Sequence, residues 1–125
     1  MAEEMTLAIS IGELADITQG EILNSPERSG TLVENLMVGA MCVDPAPLYF
    51  SLKSNKAVIT RGDRADIQLG ALETETECLI LTGGFKPLPS IIQRAEEKQV
   101  PIITVGEDTQ TTLAKLEEGL SKVSS

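Results

Sequence analysis

The feature that most constrains this chain is the alternation in its second half. Three short apolar runs, Ala57-Val58-Ile59-Thr60, Cys78-Leu79-Ile80-Leu81 and Pro101-Ile102-Ile103-Thr104-Val105, are separated by stretches of helical periodicity. Runs this short and this continuously apolar suit strands covered on both faces, the setting of a parallel sheet. Between them, Asp63 is placed to cap a helix running to about Leu72. Pro87 or Pro89 can open a second helix, in which Leu88, Ile91, Ile92 and Ala95 recur on one face. Asp108 is placed to cap a last helix that carries Leu113, Leu116 and Leu120 on one stripe. The pattern is βαβαβα, so the expected fold is α/β: one compact domain whose C-terminal half is a parallel sheet.

The first half breaks that rhythm. No linker rich in Pro, Gly or Ser divides the halves, so it is expected to add extra strands and a helix to the same core. Met5 to Gly20 reads as a short helix with a marked start: Ser10 and Glu13 form a capping box, and Ile9 and Leu14 occupy the positions of a hydrophobic staple. Gly20 is placed to end it. Glu21 to Leu23 reads as a strand, Ser25 to Gly30 as a loop, and Thr31 to Met41 as a second strand. Asp44-Pro45-Ala46-Pro47 can launch a short helix through Tyr49, Phe50 and Leu52. Residues 1–120 are expected to form the single domain, with 121–125 as a frayed tail.

Composition removes several chemistries. The chain has 125 residues and no histidine, so Ser-His-Asp and Cys-His catalysis and His-ligated metal sites are excluded. Its aromatics are Tyr49, Phe50 and Phe85, too few to stack single-stranded nucleic acid. The net charge is −9 and no segment is basic, so nucleic acid and anionic membranes are not expected partners. Cys42 and Cys78 form no Cys-x-x-Cys pair and sit in apolar runs, which reads as two small buried hydrophobes. No signal peptide and no apolar stretch of membrane-spanning length is present, and the expected location is cytoplasmic.

In an open parallel sheet, ligands bind beyond the carboxyl ends of the strands. Three loops are expected there: Arg61-Gly62-Asp63-Arg64, Thr82-Gly83-Gly84-Phe85 and Gly106-Glu107-Asp108-Thr109. Together they offer two guanidiniums, backbone N–H groups and Thr hydroxyls, which suits a small anion or a phosphate-bearing ligand. Structural roles are open at each position. Asp63 and Asp108 are also ordinary helix caps, Arg64 can pair with Asp66 or Asp63, and Gly83-Gly84 can be a left-handed turn. No Walker A sequence or Gly-x-Gly-x-x-Gly fingerprint is present, and no cofactor is implied. Arg61-Gly62-Asp63 also spells a cell-adhesion tripeptide, which without a secretion signal is read as chance.

These residues carry a resemblance. Val58 to Leu72, Leu79 to Gly84, Val100 to Val105 and Asp108-Thr109 resemble the DRTGG domain, whose name strings together residues matching Asp63, Arg64, Thr82, Gly83 and Gly84. Leu36 to Leu52 is similar to the family's earlier half, so the likeness covers nearly the whole chain. The resemblance implies a compact α/β regulatory module, of the kind found in some phosphotransacetylases and beside CBS pairs in regulated pyrophosphatases, and one that contributes to dimerisation. A chain of 125 residues leaves no room for a catalytic domain, so a regulated enzyme is expected to be bound in trans.

The leading expectation is a homodimeric regulatory or ligand-sensing module and not an enzyme. Its ligand, anionic or nucleotide-like, would meet Arg61, Gly62, Asp63, Arg64, Thr82, Gly83, Gly84, Asp108 and Thr109. An alternative is a structural scaffold in which Asp63 and Arg64 form a cap and an ion pair, with Leu36 to Met41 and Tyr49-Phe50 as interface or core. A third is a small phosphate-handling enzyme that relies on Asp63, Asp66 or Asp108, with a metal held by those carboxylates.

Overall fold

The computed structural model describes residues 4–38 and 56–124. The strands are β1 (Glu4–Ser10), β2 (Glu21–Ile22), β3 (Leu32–Val38), β4 (Lys56–Arg61), β5 (Thr76–Thr82) and β6 (Ile102–Thr104). The helices among the described residues are α1 (Ile11–Thr18), α2 (Ala65–Leu72), α3 (Pro89–Lys98) and α4 (Thr109–Ser124), with a 3-10 turn at Pro26–Arg28. All six strands join one sheet in the order β1-β3-β4-β5-β6-β2. Its centre, β3-β4-β5-β6, is parallel, and β1 and β2 close the two edges antiparallel.

The period of two along each strand explains why the central runs are apolar throughout. Ala57, Ile59, Cys78, Ile80, Ile103 and Val105 face one core, shared with Leu14 of α1 and Leu116 of α4. Val58, Leu79, Leu81 and Ile102 face the other, under Ile67, Ala71 and Leu72 of α2 and Ile91 and Ala95 of α3. The expected α/β domain is therefore present as a sheet between two helical layers. No helix among the described residues is long and apolar enough to cross a membrane. Cys78 is fully buried, which pushes its thiol up to about 12 and leaves it inert.

Several local expectations need correction. The helix begins at Ile11, behind the expected capping box of Ser10 and Glu13, but Met5 to Ile9, read as part of the same helical stretch, is not helical. What precedes the cap is strand, laid against β3 from Glu4↔Met37 to Ser10↔Leu32. Gly20 does not supply the left-handed residue that ends α1; Gln19 does, at φ 56. Gly20 is needed for a different reason, since a Cβ there would lie 2.5 Å from Ile103 Cγ2 and 2.8 Å from Thr104 O. Asp63 does not cap α2: the cap position is Arg64, and no side chain bonds there. Leu88 precedes α3 and is 55% exposed, because Pro89 takes the first helical position.

Leu36 and Met37 are core residues and not free interface. The strand expected to Met41 is seen to Val38, and the rest of it, with Cys42, the Asp44 helix and Tyr49-Phe50, lies outside the described residues. The backbone of α4 stays helical to Ser124.

One edge arrangement matters for the site. Asn24 follows β2 and behaves like an added strand residue: its Nδ2 donates to Val100 O (2.9 Å) and its Oδ1 accepts from Ile102 N (3.0 Å). With Leu23 N donating to Ile102 O (2.8 Å), this holds the α1–β2 turn beside the carboxyl end of β6.

Candidate functional site

The three loops do converge at the carboxyl edge of the sheet, and hydrogen bonds between them fix their spacing. Gly62 N donates to Thr82 O (3.0 Å), Gly83 N to Glu107 O (2.7 Å) and Gly84 N to Val105 O (3.0 Å). The hydroxyls of Thr82 and Thr109 lie 2.7 Å apart, and Thr82 Oγ1 also reaches Thr60 O at 3.4 Å. The cleft above these bonds has a volume of about 400 Å³ and is lined by Arg61, Thr82, Gly83, Phe85, Asp108, Thr109 and Gln110.

Of the expected residues, the structure brings Arg61, Thr82, Gly83, Asp108 and Thr109 to this cleft. Gly62 lies just beneath, buried against Phe85. Gly84 lines a neighbouring cavity of about 610 Å³. Asp63 pairs with Arg61 (2.8 Å), and Arg64 pairs with Asp66 (3.4 Å) on the exposed start of α2, away from the cleft lining. The side chain of Arg64 holds Asp66 below the usual carboxylate range. The guanidinium at the cleft is therefore that of Arg61, which also stands 5.6 Å from the centroid of the Phe85 ring, a cation–π distance.

Donor capacity differs from the sequence expectation. The Gly83 and Gly84 N–H groups, expected to face a ligand, are consumed by Glu107 and Val105. Left over are the N–H groups of Thr109 and Gln110 in the first turn of α4, which have no acceptor among the described residues. Asp108 caps the same turn through Thr111 N (2.7 Å), and that bond keeps its carboxylate below the usual range. Glu107 is bonded to Lys115, which also reaches Gln19 Oε1 (3.0 Å), tying α4 to the end of α1. Among the described residues, no group of three or more His, Cys, Asp or Glu side chains could hold a metal.

Two residues of the cleft were absent from the expected ligand contacts, Gln110 and Phe85, although Phe85 belongs to one of the expected loops. The second organises the site. A Cβ on Gly62 would lie 2.8 Å from Phe85 Cβ and 2.9 Å from Phe85 O, and one on Gly83 would lie 2.8 Å from Phe85 Cε2. Two glycines from separate loops are thus required to seat one aromatic. Gly83 also has φ 88 and Gly84 φ 74, the left-handed region. The available signal was a lone aromatic placed directly after Gly-Gly in a chain that holds one Tyr and two Phe. Beneath the first loop, Gln68 is fully buried, its Nε2 bonded to Arg61 O (3.0 Å) and its Oε1 without a partner among the described residues.

Comparison with known proteins matches residues 13–118 to the DRTGG domain. The chain is 27% identical over 112 residues to an uncharacterized protein of Bacillus subtilis, YtoI, covering 90% of this chain and 25% of that protein. It is 29% identical over 104 residues to the cobalt-dependent inorganic pyrophosphatase of Clostridium perfringens (83% of this chain, 18% of the enzyme). It is 26% identical over 122 residues to the phosphate acetyltransferase of a Synechocystis species (90% and 17%). The chain therefore spans a quarter or less of the length of these relatives. Among solved structures it resembles, with a TM-score of 0.74 and 28% identity, the CBS and DRTGG domains of the regulatory region of the Clostridium perfringens pyrophosphatase, complexed with the activator diadenosine tetraphosphate. That match covers 89% of this chain and 47% of the solved one.

Proposed function

The chain belongs to the DRTGG domain family, and on that premise we propose that it is a regulatory, ligand-sensing module whose cleft binds a small anionic or nucleotide-like ligand and controls a partner enzyme. The observation that carries this reading is the donor set at the cleft: the exposed Arg61 guanidinium, paired with Asp63, and the N–H groups of Thr109 and Gln110, which have no acceptor among the described residues, belong to residues that line it beside Phe85. An anion there would gain charge-assisted bonds and the favourable end of the α4 dipole. The pyrophosphatase regulatory region bound to its nucleotide activator supports the ligand class. Asp63, Asp66 and Asp108 are engaged with Arg61, Arg64 and the α4 amides, which supports binding over catalysis.

The test is thermal shift and calorimetry with AMP, ATP, diadenosine tetraphosphate and acetyl phosphate. A ligand present at about a hundred times its Kd should stabilise the fold by about 2.7 kcal/mol. The shift should be lost in Arg61→Ala. If none of these ligands moves the melting temperature of the wild-type chain, the sensing reading fails.

A second reading, a scaffold without a ligand, draws on a specific observation: Thr82, Gly83 and Gly84 spend their backbone or hydroxyl groups on binding the loops to each other. Under it, Arg61→Ala changes stability alone. Homodimerisation and a cytoplasmic setting belong to both readings. Light scattering over a range of concentrations tests the dimer, which a strictly monomeric chain would rule out.

A further inference from the structure

The cavity beyond Phe85 is larger than the cleft and chemically different. Its walls include Leu23, Phe85, Pro87 and Ile92, and its polar margin includes Glu21 and Lys86. Leu23 is 38% exposed and Phe85 39%, so apolar surface stands open to water there. The Glu21 carboxylate and the Lys86 ammonium make no ion pair among the described residues. Glu21 and Lys86 are both exposed, so the rim offers an acceptor and a donor at the edge of the apolar wall. A flat ring with an N–H group at its edge meets both demands, the apolar wall and the acceptor.

The two cavities are neighbours. Gly83 lines one and Gly84 the other, Phe85 borders both, and no side chain rises from the Gly83-Gly84 ridge. A Cβ on Gly84 would meet Gly106 O at 3.7 Å and Gly106 Cα at 3.9 Å, ordinary contact distances, so the backbone of Gly106 stands beside the ridge. Basic groups flank the crossing, Arg61 on one side and Lys86 on the other. We infer that the two cavities form one divided site, in which the Leu23–Ile92 cavity takes an amino-bearing nucleobase, Glu21 accepts from its amine, and the phosphates cross Gly83-Gly84 to Arg61 and the α4 amides. This rests on the anion-binding reading of the cleft and adds the identity of the ligand's other end.

Calorimetric titrations with ATP, purine riboside 5′-triphosphate (ATP without its 6-amino group) and inorganic tripolyphosphate test it. The wild-type chain should prefer ATP to the deamino analogue by about tenfold or more, the worth of a hydrogen bond to a charged group. Glu21→Ala should abolish that preference and leave tripolyphosphate binding unchanged, whereas Arg61→Ala should weaken all three. Equal affinity for ATP and tripolyphosphate, or a preference that survives Glu21→Ala, overturns the inference while the anion site stands. Failure of all three probes with acetyl phosphate still bound also overturns it alone. Failure of acetyl phosphate as well overturns both.

Discussion

Replacing Gly83 by Ala should test whether this glycine exists to seat Phe85. The new Cβ would lie 2.8 Å from Cε2 and 2.9 Å from Cδ2 of the ring. Carbon contacts settle at about 3.5–4.0 Å, so the ring must move by about 1 Å. With Phe85 Cβ and O packed on Gly62, the ring must make that move by turning about its own side-chain torsions, away from its seat on Gly83. Overpacking of this kind costs about 1–3 kcal/mol. A side chain at φ 88 adds a second, backbone penalty, about 1–2 kcal/mol in the left-handed region. Gly83→Ala should therefore destabilise the wild-type chain by about 2–5 kcal/mol, both effects together. In a Phe85→Ala background the steric part vanishes and about 1–2 kcal/mol remains. Urea unfolding followed by far-ultraviolet circular dichroism of the four proteins closes the cycle, with an expected coupling of about 1–3 kcal/mol. Gly62→Ala is the internal control. Its clash is with Phe85 Cβ and O, atoms that Phe85→Ala keeps, so its cost should be the same in both backgrounds. Additive effects of Gly83→Ala and Phe85→Ala would refute the seating role.

Other outcomes follow from the same geometry. Lys56 is buried at the start of β4, where its Nζ donates to Thr74 Oγ1 and Glu75 O; burial is the larger influence and Glu75 and Glu77 oppose it, so its pKa falls from 10.5 to about 8. The unfolded chain then holds the proton more tightly, and wild-type stability relative to Lys56→Met should rise by up to about 3 kcal/mol between about pH 8 and about pH 10.5, a gain that a flat urea-midpoint difference would deny. Gln19→Gly relieves a left-handed Gln but gives up the Lys115 bond, so relative to Gln19→Ala, which gives up the same bond, it should be more stable by about 1 kcal/mol in urea unfolding. Gly20→Ala should cost about 1–3 kcal/mol through its clash with β6, and an unchanged thermal midpoint would deny that clash. Asp108→Ala should lower the melting temperature near neutral pH and lose its effect in acid, because a carboxylate held below the usual range stabilises the fold only while ionised.

How much of this was legible beforehand depends on the distance over which each signal acts. The capping box at Ser10 and Glu13, the Pro89 start of α3 and the Asp108 cap of α4 involve residues within one helical turn, and each shows in the string of letters. Gln19 and Gly20 show the limit of that legibility. Composition suggests Gly as the left-handed residue, but the approach of β6, more than eighty residues away in sequence, claims the position without a side chain for packing. Asp63 illustrates the same limit: it looks like a cap, and a neighbouring guanidinium takes it instead.

By itself, then, the sequence determined the alternation of strands and helices, the parallel centre of the sheet and the three loops that end its strands, because periodicity and capping are local. The tertiary structure decided which groups in those loops are free. It tied up the Gly83 and Gly84 amides, paired Arg64 with Asp66 outside the cleft lining, left the Thr109 and Gln110 N–H groups without an acceptor among the described residues, and made Phe85 the wall around which Gly62 and Gly83 are shaped. The physical reason is that hydrogen-bond satisfaction and steric fit are settled between neighbouring parallel strands, whose ends meet in space only after the helices between them have crossed over.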